Sequence, residues 1–205
     1  MKKIQKEFEL VYLHPNNNIM KIYNIQYKCL DFSTYSVYVL MELAVSDWNM
    51  EIKKRIDKKN YYKEQELIHI VKQLVSALAY LQVQKVAHRD IKPQNVLLYP
   101  NSVYKVADFG EAKEIKISKQ QNTLRGTELY MSPVLYNGLK WNKKDVLHNV
   151  YKSDVFSLGY CLLYAASLNF KIISEIRELK DMKELNKIMV KYILFKMLKV
   201  KQNLH

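Results

Sequence analysis

The sequence predicts an α+β fold in which a small region of one helix and two strands precedes a mostly helical body. Two observations carry this prediction. Near the start, apolar residues change from helical spacing to short runs of β-branched and aromatic residues, which are typical of strands. From Glu64 onward, long stretches return to helical spacing. A length of 205 residues suits one large domain or two small lobes.

The first predicted elements are a helix and a pair of strands. Apolar residues recur at helical spacing over residues 1–13, until His14 and Pro15 break the pattern. MKIYNIQY at 20–27 and SVYVLM at 36–41 are rich in β-branched and aromatic residues, which predicts two strands joined around residues 28–34.

The body begins with a long helix over residues 64–84. Its predicted apolar face consists of Leu67, Val71, Leu74, Leu78 and Leu81. VLLYPNSVYKVAD then places two apolar runs around a Pro-Asn-Ser turn, which predicts a hairpin. Residues 111–124 are polar, and we expect them to be flexible. Residues 153–167 predict a helix buried on all sides, and residues 172–198 predict amphipathic helices.

Composition narrows the class of protein. The formal net charge is +13, but 29 of the 33 cations are lysines spread along the chain, so we expect no specific nucleic-acid binding. The longest uncharged run, residues 155–170, is shorter than the roughly 20 apolar residues that cross a bilayer, so we expect no membrane span. Cys29 and Cys161 are too few and too far apart to indicate a disulfide framework or a metal site. We expect a reducing compartment, the cytoplasm or the nucleus.

The chemistry is concentrated in HRDIKPQN at 88–95 and DFG at 108–110. Each motif alone is a weak signal, but their joint spacing is specific: Asp90 is followed at +2 by Lys92, at +5 by Asn95 and at +18 by Asp108. In these residues the chain resembles the eukaryotic-type protein kinase superfamily, serine/threonine type. The resemblance implies a kinase-like fold whose mostly α-helical C-terminal lobe carries the site.

The same resemblance implies a role for each residue. Asp90 would be the catalytic base, Lys92 would contact the γ-phosphate, and Asn95 and Asp108 would hold magnesium. ATP and Mg²⁺ are therefore the implied cofactors, and lysine at 92 favours serine and threonine substrates. LRGTELYMSP at 124–133 resembles the segment that seats the substrate peptide, with Thr127 facing the Asp90 and Lys92 pair.

The adenine side of the site is implied by SVYVLMELA, which resembles the strand that runs into the hinge between the lobes. Met41 would then be the gatekeeper. Backbone groups of Glu42 and Ala44 would meet the edge of the adenine, and Leu97 would press on its lower face.

Two further residues have alternative interpretations. Thr123 stands where activation-loop phosphothreonines commonly lie, with Arg89 as cationic partner, or it is a solvated loop residue. Asp154 would hold the backbone of the His88-Arg89 turn, or it caps its own helix with no distant partner.

The chain departs from the family pattern at its start. No glycine precedes Gly110, so the glycine-rich loop and the V-A-I-K strand are missing. Residues 1–42 would be a remnant N-terminal lobe, and residues 43–205 a C-terminal lobe truncated at its end. Glu7 or Gln5 takes the place of the regulatory-helix glutamate, and Glu7 as a merely solvated residue stays an alternative. Because an isolated two-stranded unit is marginal, we expect the first forty residues to be poorly held.

A second departure lies after the peptide-seating segment. Val134 replaces the A-P-E glutamate, which in the family pairs with an arginine of a late helix, and no arginine follows Arg177. About ten extra residues lie near 137–150.

The leading interpretation is a serine/threonine protein kinase domain that acts on protein substrates and is weak or inactive as the isolated chain. The alternative is a pseudokinase-like binding or scaffold protein. A basic nucleic-acid-binding chain is a distant third, and the sequence predicts no oligomeric state.

Overall fold

The computed structural model describes residues 16–31, 34–115 and 119–177. The helix predicted over residues 1–13, with Gln5 and Glu7, lies outside these residues, as does most of the region predicted as helices at 172–198. The predicted hairpin near the start is present: β1 (Ile22–Cys29) pairs antiparallel with β2 (Tyr35–Met41) in a two-stranded sheet.

The hairpin is joined to the body by residues 18–22. The Met20 N–H donates to the Val106 carbonyl at 2.9 Å, and the Val106 N–H donates to the Asn18 carbonyl at 2.8 Å. Ile19 and Ile22 are buried. The expectation that the first forty residues would be poorly held is therefore wrong for 18–22, because residues 18–20 pair with Val106 of a body strand and Ile22 is buried. The hairpin beyond them is largely exposed.

Between the hairpin and the long helix lies a helix that the sequence reading missed, α1 (Trp48–Asp57), preceded by β3 (Ser46–Asp47). Asp47 caps it by accepting the Met50 N–H at 2.9 Å. Trp48 is fully buried and its indole N–H donates to the Tyr62 hydroxyl at 3.2 Å. The aspartate cap followed by an acidic first turn was the available sequence signal.

The body is built on two packed helices. The long predicted helix is α2 (Glu64–Val83), which buries Ile70, Leu74, Ala77, Leu78 and Leu81. It packs against α4 (Val150–Ser167), the central helix. The prediction that the central helix is buried on all sides is wrong, because one side reaches solvent and Val155 is 59% exposed. In the described part of the chain, no helix is long and apolar enough to cross a membrane.

The remaining elements frame the site. The second predicted hairpin, around the Pro-Asn-Ser turn, is formed by β5 (Val96–Tyr99) and β6 (Val103–Val106). β5 also pairs with β3. A short pair joins β4 (Val86–Ala87) to β7 (Lys113–Glu114). Further along the chain come β8 (Lys119–Thr123), α3 (Pro133–Lys140), β9 (Asp145–Asn149) and α5 (Lys171–Arg177).

Part of the stretch predicted to be flexible is a strand. β8 pairs antiparallel with β9 over five residues, from Lys119 opposite Asn149 to Thr123 opposite Asp145. The prediction that residues 111–124 are flexible is therefore wrong for β8. The partner strand comes from the extra residues near 137–150, and a pairing between segments so far apart leaves no local sequence signal.

Candidate active site

The turn that carries Asp90 is fixed by a carboxylate of the central helix. Asp154 accepts the His88 N–H at 2.9 Å and the Arg89 N–H at 2.8 Å. The prediction that Asp154 holds this backbone is confirmed, and the capping alternative is wrong because Asn149 caps the helix. Arg89 has a φ of +71°, which is uncommon for a residue with a side chain. The two bonds from Asp154 help to hold this strained turn.

His88 ties this turn to the DFG segment. The ring is fully buried, its Nε2 lies 3.0 Å from the Ala107 carbonyl, and it contacts the Phe109 ring edge to face at 4.9 Å between centroids. Burial lowers the pKa of His88, although the Ala107 carbonyl opposes that change. The imidazole is therefore neutral at physiological pH, and Nε2 donates to the carbonyl.

The Asp90 carboxylate lies at the centre of a polar cluster. Oδ1 accepts the Thr127 hydroxyl at 2.7 Å and the Thr127 N–H at 2.9 Å. Oδ2 accepts Lys92 Nζ at 2.6 Å and Asn95 Nδ2 at 3.1 Å. Lys92 Nζ also donates to the Thr127 hydroxyl at 3.1 Å. The structure thus brings together four residues that the sequence selected from two distant motifs.

These contacts set the charge of Asp90. Partial burial alone would raise its pKa, but the hydrogen bonds from Lys92 and Thr127 and the charge of Lys92 outweigh it, so the pKa of Asp90 lies below its ordinary value. The carboxylate is ionised at neutral pH. It can accept a hydrogen bond from a further hydroxyl, and Lys92 places a cation beside it.

Asn95 and Asp108 could hold a cation. Asn95 Nδ2 donates to the carbonyl and the carboxylate of Asp90, which leaves the amide oxygen as an acceptor. Asp108 is exposed, with a φ of +62°, and its Oδ1 accepts the Gly110 N–H at 3.2 Å. The Ala107 N–H donates to the Asn95 carbonyl at 2.9 Å, so the backbone joins the two segments.

This donor set fits magnesium. Mg²⁺ takes oxygen ligands and is commonly held by one or two protein groups together with substrate phosphates. One carboxylate and one amide oxygen meet that requirement. Among the described residues, no cluster of three or more His, Cys, Asp or Glu side chains forms an all-protein cage.

With this geometry in place, comparison with known proteins decides the family. Residues 1–204 match the family model of the protein kinase domain. The chain belongs to the protein kinase family.

Relatives of the chain include probable serine/threonine-protein kinases and a MAP kinase kinase. The chain is 35% identical over 153 residues to a probable serine/threonine-protein kinase nek2 of Dictyostelium discoideum, covering 73% of this chain and 34% of the relative. It is 33% identical over 171 residues to a probable serine/threonine-protein kinase fhkD of the same organism, covering 80% and 22%. The MAP kinase kinase MKK1/SSP32 of Saccharomyces cerevisiae is 31% identical over 166 residues, covering 80% and 31%. The matched region thus spans about a third or less of these relatives.

The segment expected to contact adenine connects β2 to β3. The Glu42 N–H donates to the Lys21 carbonyl at 3.1 Å, and its carboxylate pairs with Lys105 Nζ at 2.7 Å. An adenine contact by Glu42 would therefore use its carbonyl. Ala44 and Leu97 are half-buried, and Met41 is exposed at the end of β2. The roles of Met41, Glu42, Ala44 and Leu97 stay predictions.

Two further features were compared with the family pattern in the sequence analysis, the Thr123 and Arg89 pair and the Val134 position. The Arg89 guanidinium donates to the Thr123 carbonyl at 3.0 Å, and the Thr123 side chain is exposed. Phosphorylation of Thr123 stays a prediction. Val134 is 48% exposed on α3 and offers no charge to an arginine. Two residues to which the sequence analysis gave no role, Ser157 and Arg177, donate to the carbonyls of residues 129–131.

Asp154→Asn is expected to lower the free energy of unfolding by about 1 to 3 kcal/mol, because asparagine keeps one acceptor oxygen and leaves a buried N–H of the turn unpaired. Burial also raises the pKa of Asp154 to about 7, although the two N–H groups oppose that change. The folded chain thus holds a proton there that the unfolded chain releases near pH 4. The Asp154 carboxyl therefore lowers the free energy of unfolding as pH rises from about 4 to 7. The Asp154→Asn variant lacks this pH dependence, because its side chain does not titrate.

Denaturant unfolding of both chains at pH 5 and at pH 7.5 tests this expectation. Asp57→Asn, at an exposed position at the end of α1, is the matched control. Equal stability of the Asp154→Asn chain and the parent at both pH values would show that the two hydrogen bonds contribute little.

Proposed function

We propose that this site transfers the γ-phosphoryl group of ATP to serine and threonine hydroxyls of protein substrates, with Mg²⁺ as cofactor. The observation that carries the proposal is the Asp90 carboxylate, with Lys92, Asn95 and Thr127 all within 3.1 Å of its oxygens. Phosphoryl transfer requires an oriented hydroxyl and cations in fixed positions, and these residues are suited to both tasks.

In this proposal each residue has one task. Asp90 accepts the hydrogen bond of the substrate hydroxyl and orients it, and Lys92 supplies positive charge at the γ-phosphate. Asn95 and Asp108 would hold Mg²⁺, which neutralises phosphate charge when bound. Glu42, Ala44 and Leu97 would contact the adenine.

The peptide would lie beside Asp90. A groove of about 340 Å³ opens there, and Leu124, Met131 and Leu139 contribute apolar surface to its lining. Arg125 and Glu128 add charge of both signs. This groove supports a peptide hydroxyl, rather than a small free alcohol, as the acceptor. Protein substrates in the cytoplasm or nucleus are part of the same proposal.

A binding or scaffold role is the second candidate. It is favoured by the apolar surface of the β1–β2 hairpin and of the segment after it, where Leu40 is 62% and Leu43 is 92% exposed.

Titration of the full chain with a non-hydrolysable ATP analogue, with and without Mg²⁺, tests nucleotide binding. We expect weak binding that Mg²⁺ strengthens. Asp108→Asn should reduce the Mg²⁺-dependent part by about 10- to 100-fold, the effect of about 1.4 to 2.8 kcal/mol, because it removes the anionic ligand. Asp57→Asn removes an equal charge at the exposed C-terminal end of α1 and should bind like the parent.

Each outcome selects one function. Mg²⁺-dependent binding followed by phosphate transfer supports the kinase, and such binding without transfer to any serine or threonine supports the scaffold. Binding that is equal in the parent and in Asp108→Asn would contradict the proposed magnesium site.

A further inference from the structure

Three consecutive backbone carbonyls of the segment expected to seat the peptide are held by side chains from two helices. Arg177 of α5 donates to the Leu129 carbonyl from Nε at 3.1 Å and from Nη2 at 2.6 Å, and Nη2 donates to the Met131 carbonyl at 2.6 Å. The carbonyl between them, that of Tyr130, accepts the Ser157 hydroxyl of α4 at 2.8 Å. A shift of residues 129–131 would break at least one of these bonds.

The guanidinium itself is held in place by aromatic rings. It lies 4.4 Å from the centroid of the Tyr136 ring and 5.1 Å from that of Tyr160. Both rings favour a cation over their faces. Burial lowers the pKa of Arg177, while Tyr160, Tyr136 and Glu128 oppose that change. The side chain stays charged, because arginine does not lose its proton in proteins.

We propose that Arg177 is a positioning residue for the peptide-seating segment, and that its bonds to the Leu129 and Met131 carbonyls replace the glutamate–arginine pair that Val134 rules out. The Arg177 guanidinium thus donates to backbone carbonyls of the segment, where the family pair would use a carboxylate. Charge-assisted bonds to carbonyls are strong, and a planar fork can reach two of them at once. This inference rests on the proposed function and names a determinant of its substrate binding.

A short chain of contacts carries the effect of Arg177 to the site. Residues 128–130 form a single 3₁₀ turn in which the Tyr130 N–H donates to the Thr127 carbonyl at 2.9 Å. Thr127 in turn donates to Asp90. A second groove, of about 690 Å³, runs along this turn between Thr127 and Arg177, with Lys140 and Ser174 also in its lining. Loss of the Arg177 bonds should therefore loosen peptide binding while leaving the magnesium ligands in place.

The test compares Arg177→Met and Arg177→Lys with the parent chain. Methionine keeps much of the side-chain length without a donor, and lysine keeps the charge without the fork. Lys171→Met, at an exposed position on the same helix, removes one positive charge and is the matched control. The probe is a defined mixture of serine- and threonine-containing peptides, with transfer from Mg²⁺-ATP followed in single turnovers. Nucleotide affinity and thermal unfolding are measured on the same samples.

We expect Arg177→Met to raise the half-saturating peptide concentration by about 10- to 100-fold, with Mg²⁺-nucleotide affinity within about twofold of the parent. Arg177→Lys should restore only part of this loss. Equal losses of peptide and nucleotide binding, or no difference between Arg177→Met and Lys171→Met, would overturn the inference.

Amide hydrogen exchange keeps the inference testable if the parent transfers no phosphate, a result that would count against the proposed function alone. In Arg177→Met the amides of Tyr130 and Met131 should exchange about tenfold faster, with those of His88 and Arg89 unchanged. Unchanged exchange at Tyr130 and Met131 would contradict positioning by Arg177.

Discussion

A chain in which residues 1–205 are preceded by a glycine-rich loop and a lysine-bearing strand is expected to transfer phosphate several orders of magnitude faster than the 205 residues alone. In the proposed site, Asp90, Lys92, Asn95 and Asp108 would supply the lower half, but the 205 residues have no glycine before Gly110 that would cover the phosphates. One preorganised electrostatic contact is typically worth about 10²- to 10³-fold in rate. The added segment would supply several.

The structure offers a place for such a segment. β1 and β2 form a two-stranded sheet, which leaves the outer edge of each strand without a partner among the described residues. An open edge accepts a further strand through backbone hydrogen bonds. Added strands would also cover part of the apolar surface of the hairpin.

Replacing the lysine of the added strand by methionine is the control for this prediction, and it should remove most of the gain. The measurement is the initial rate of phosphopeptide formation at saturating Mg²⁺-ATP. Transfer by the 205 residues alone at about 1 to 100 per second, the range typical of kinases, would contradict the prediction.

Gly126→Ala is expected to damage both the stability and the activity of the protein. The φ of Gly126 is +110°, a conformation that costs a residue with a side chain about 1 to 3 kcal/mol. A Cβ atom there would lie 2.7 Å from the carbonyl oxygen of Arg89, so the Asp90 turn or the Thr127 segment must move. Since Thr127 donates twice to Asp90, we expect the transfer rate to fall by about a hundredfold or more.

Gly159→Ala is the matched control, because an added Cβ at that position of α4 meets no atom within 4 Å. Alanine in a helix should there raise stability by about 0.5 to 1 kcal/mol. Denaturant unfolding and transfer rates of the two variants together give the comparison. A Gly126→Ala chain as stable and as active as Gly159→Ala would show that the close approach to Arg89 relaxes without cost.

The part of the site that could be predicted from sequence is the part fixed by short motifs. Asp90, Lys92 and Asn95 lie within six residues, so local backbone geometry alone brings them near one another. Thr127 could be assigned because its surrounding segment resembles the family. Asp154 was selected by the same resemblance, and its two bonds to the turn confirm that assignment.

The features that could not be predicted depend on distant backbone groups. Arg177 binds carbonyls, and every residue has a carbonyl, so no pattern marks Leu129 or Met131 as its partners. The same holds for residues 18–20, where the Asn18 carbonyl and the Met20 N–H pair with Val106. β8 looks like a polar loop in sequence, because its partner strand lies more than twenty residues further along the chain. In contrast, α1 could have been predicted, because Asp47 is a typical N-cap residue and Glu51 adds negative charge to the first turn.

The most direct test of the proposed function is a single-turnover experiment with the chain in excess over radiolabelled ATP and a mixture of serine and threonine peptides. Parent and Asp90→Asn chains are compared, each alone and with the upstream segment added. We predict Mg²⁺-dependent label on serine or threonine, slow for the 205 residues and fast for the extended chain, and lost in both forms of Asp90→Asn. Label that forms equally with Asp90→Asn, or no label even from the extended parent chain, would contradict the assignment of this site to phosphoryl transfer.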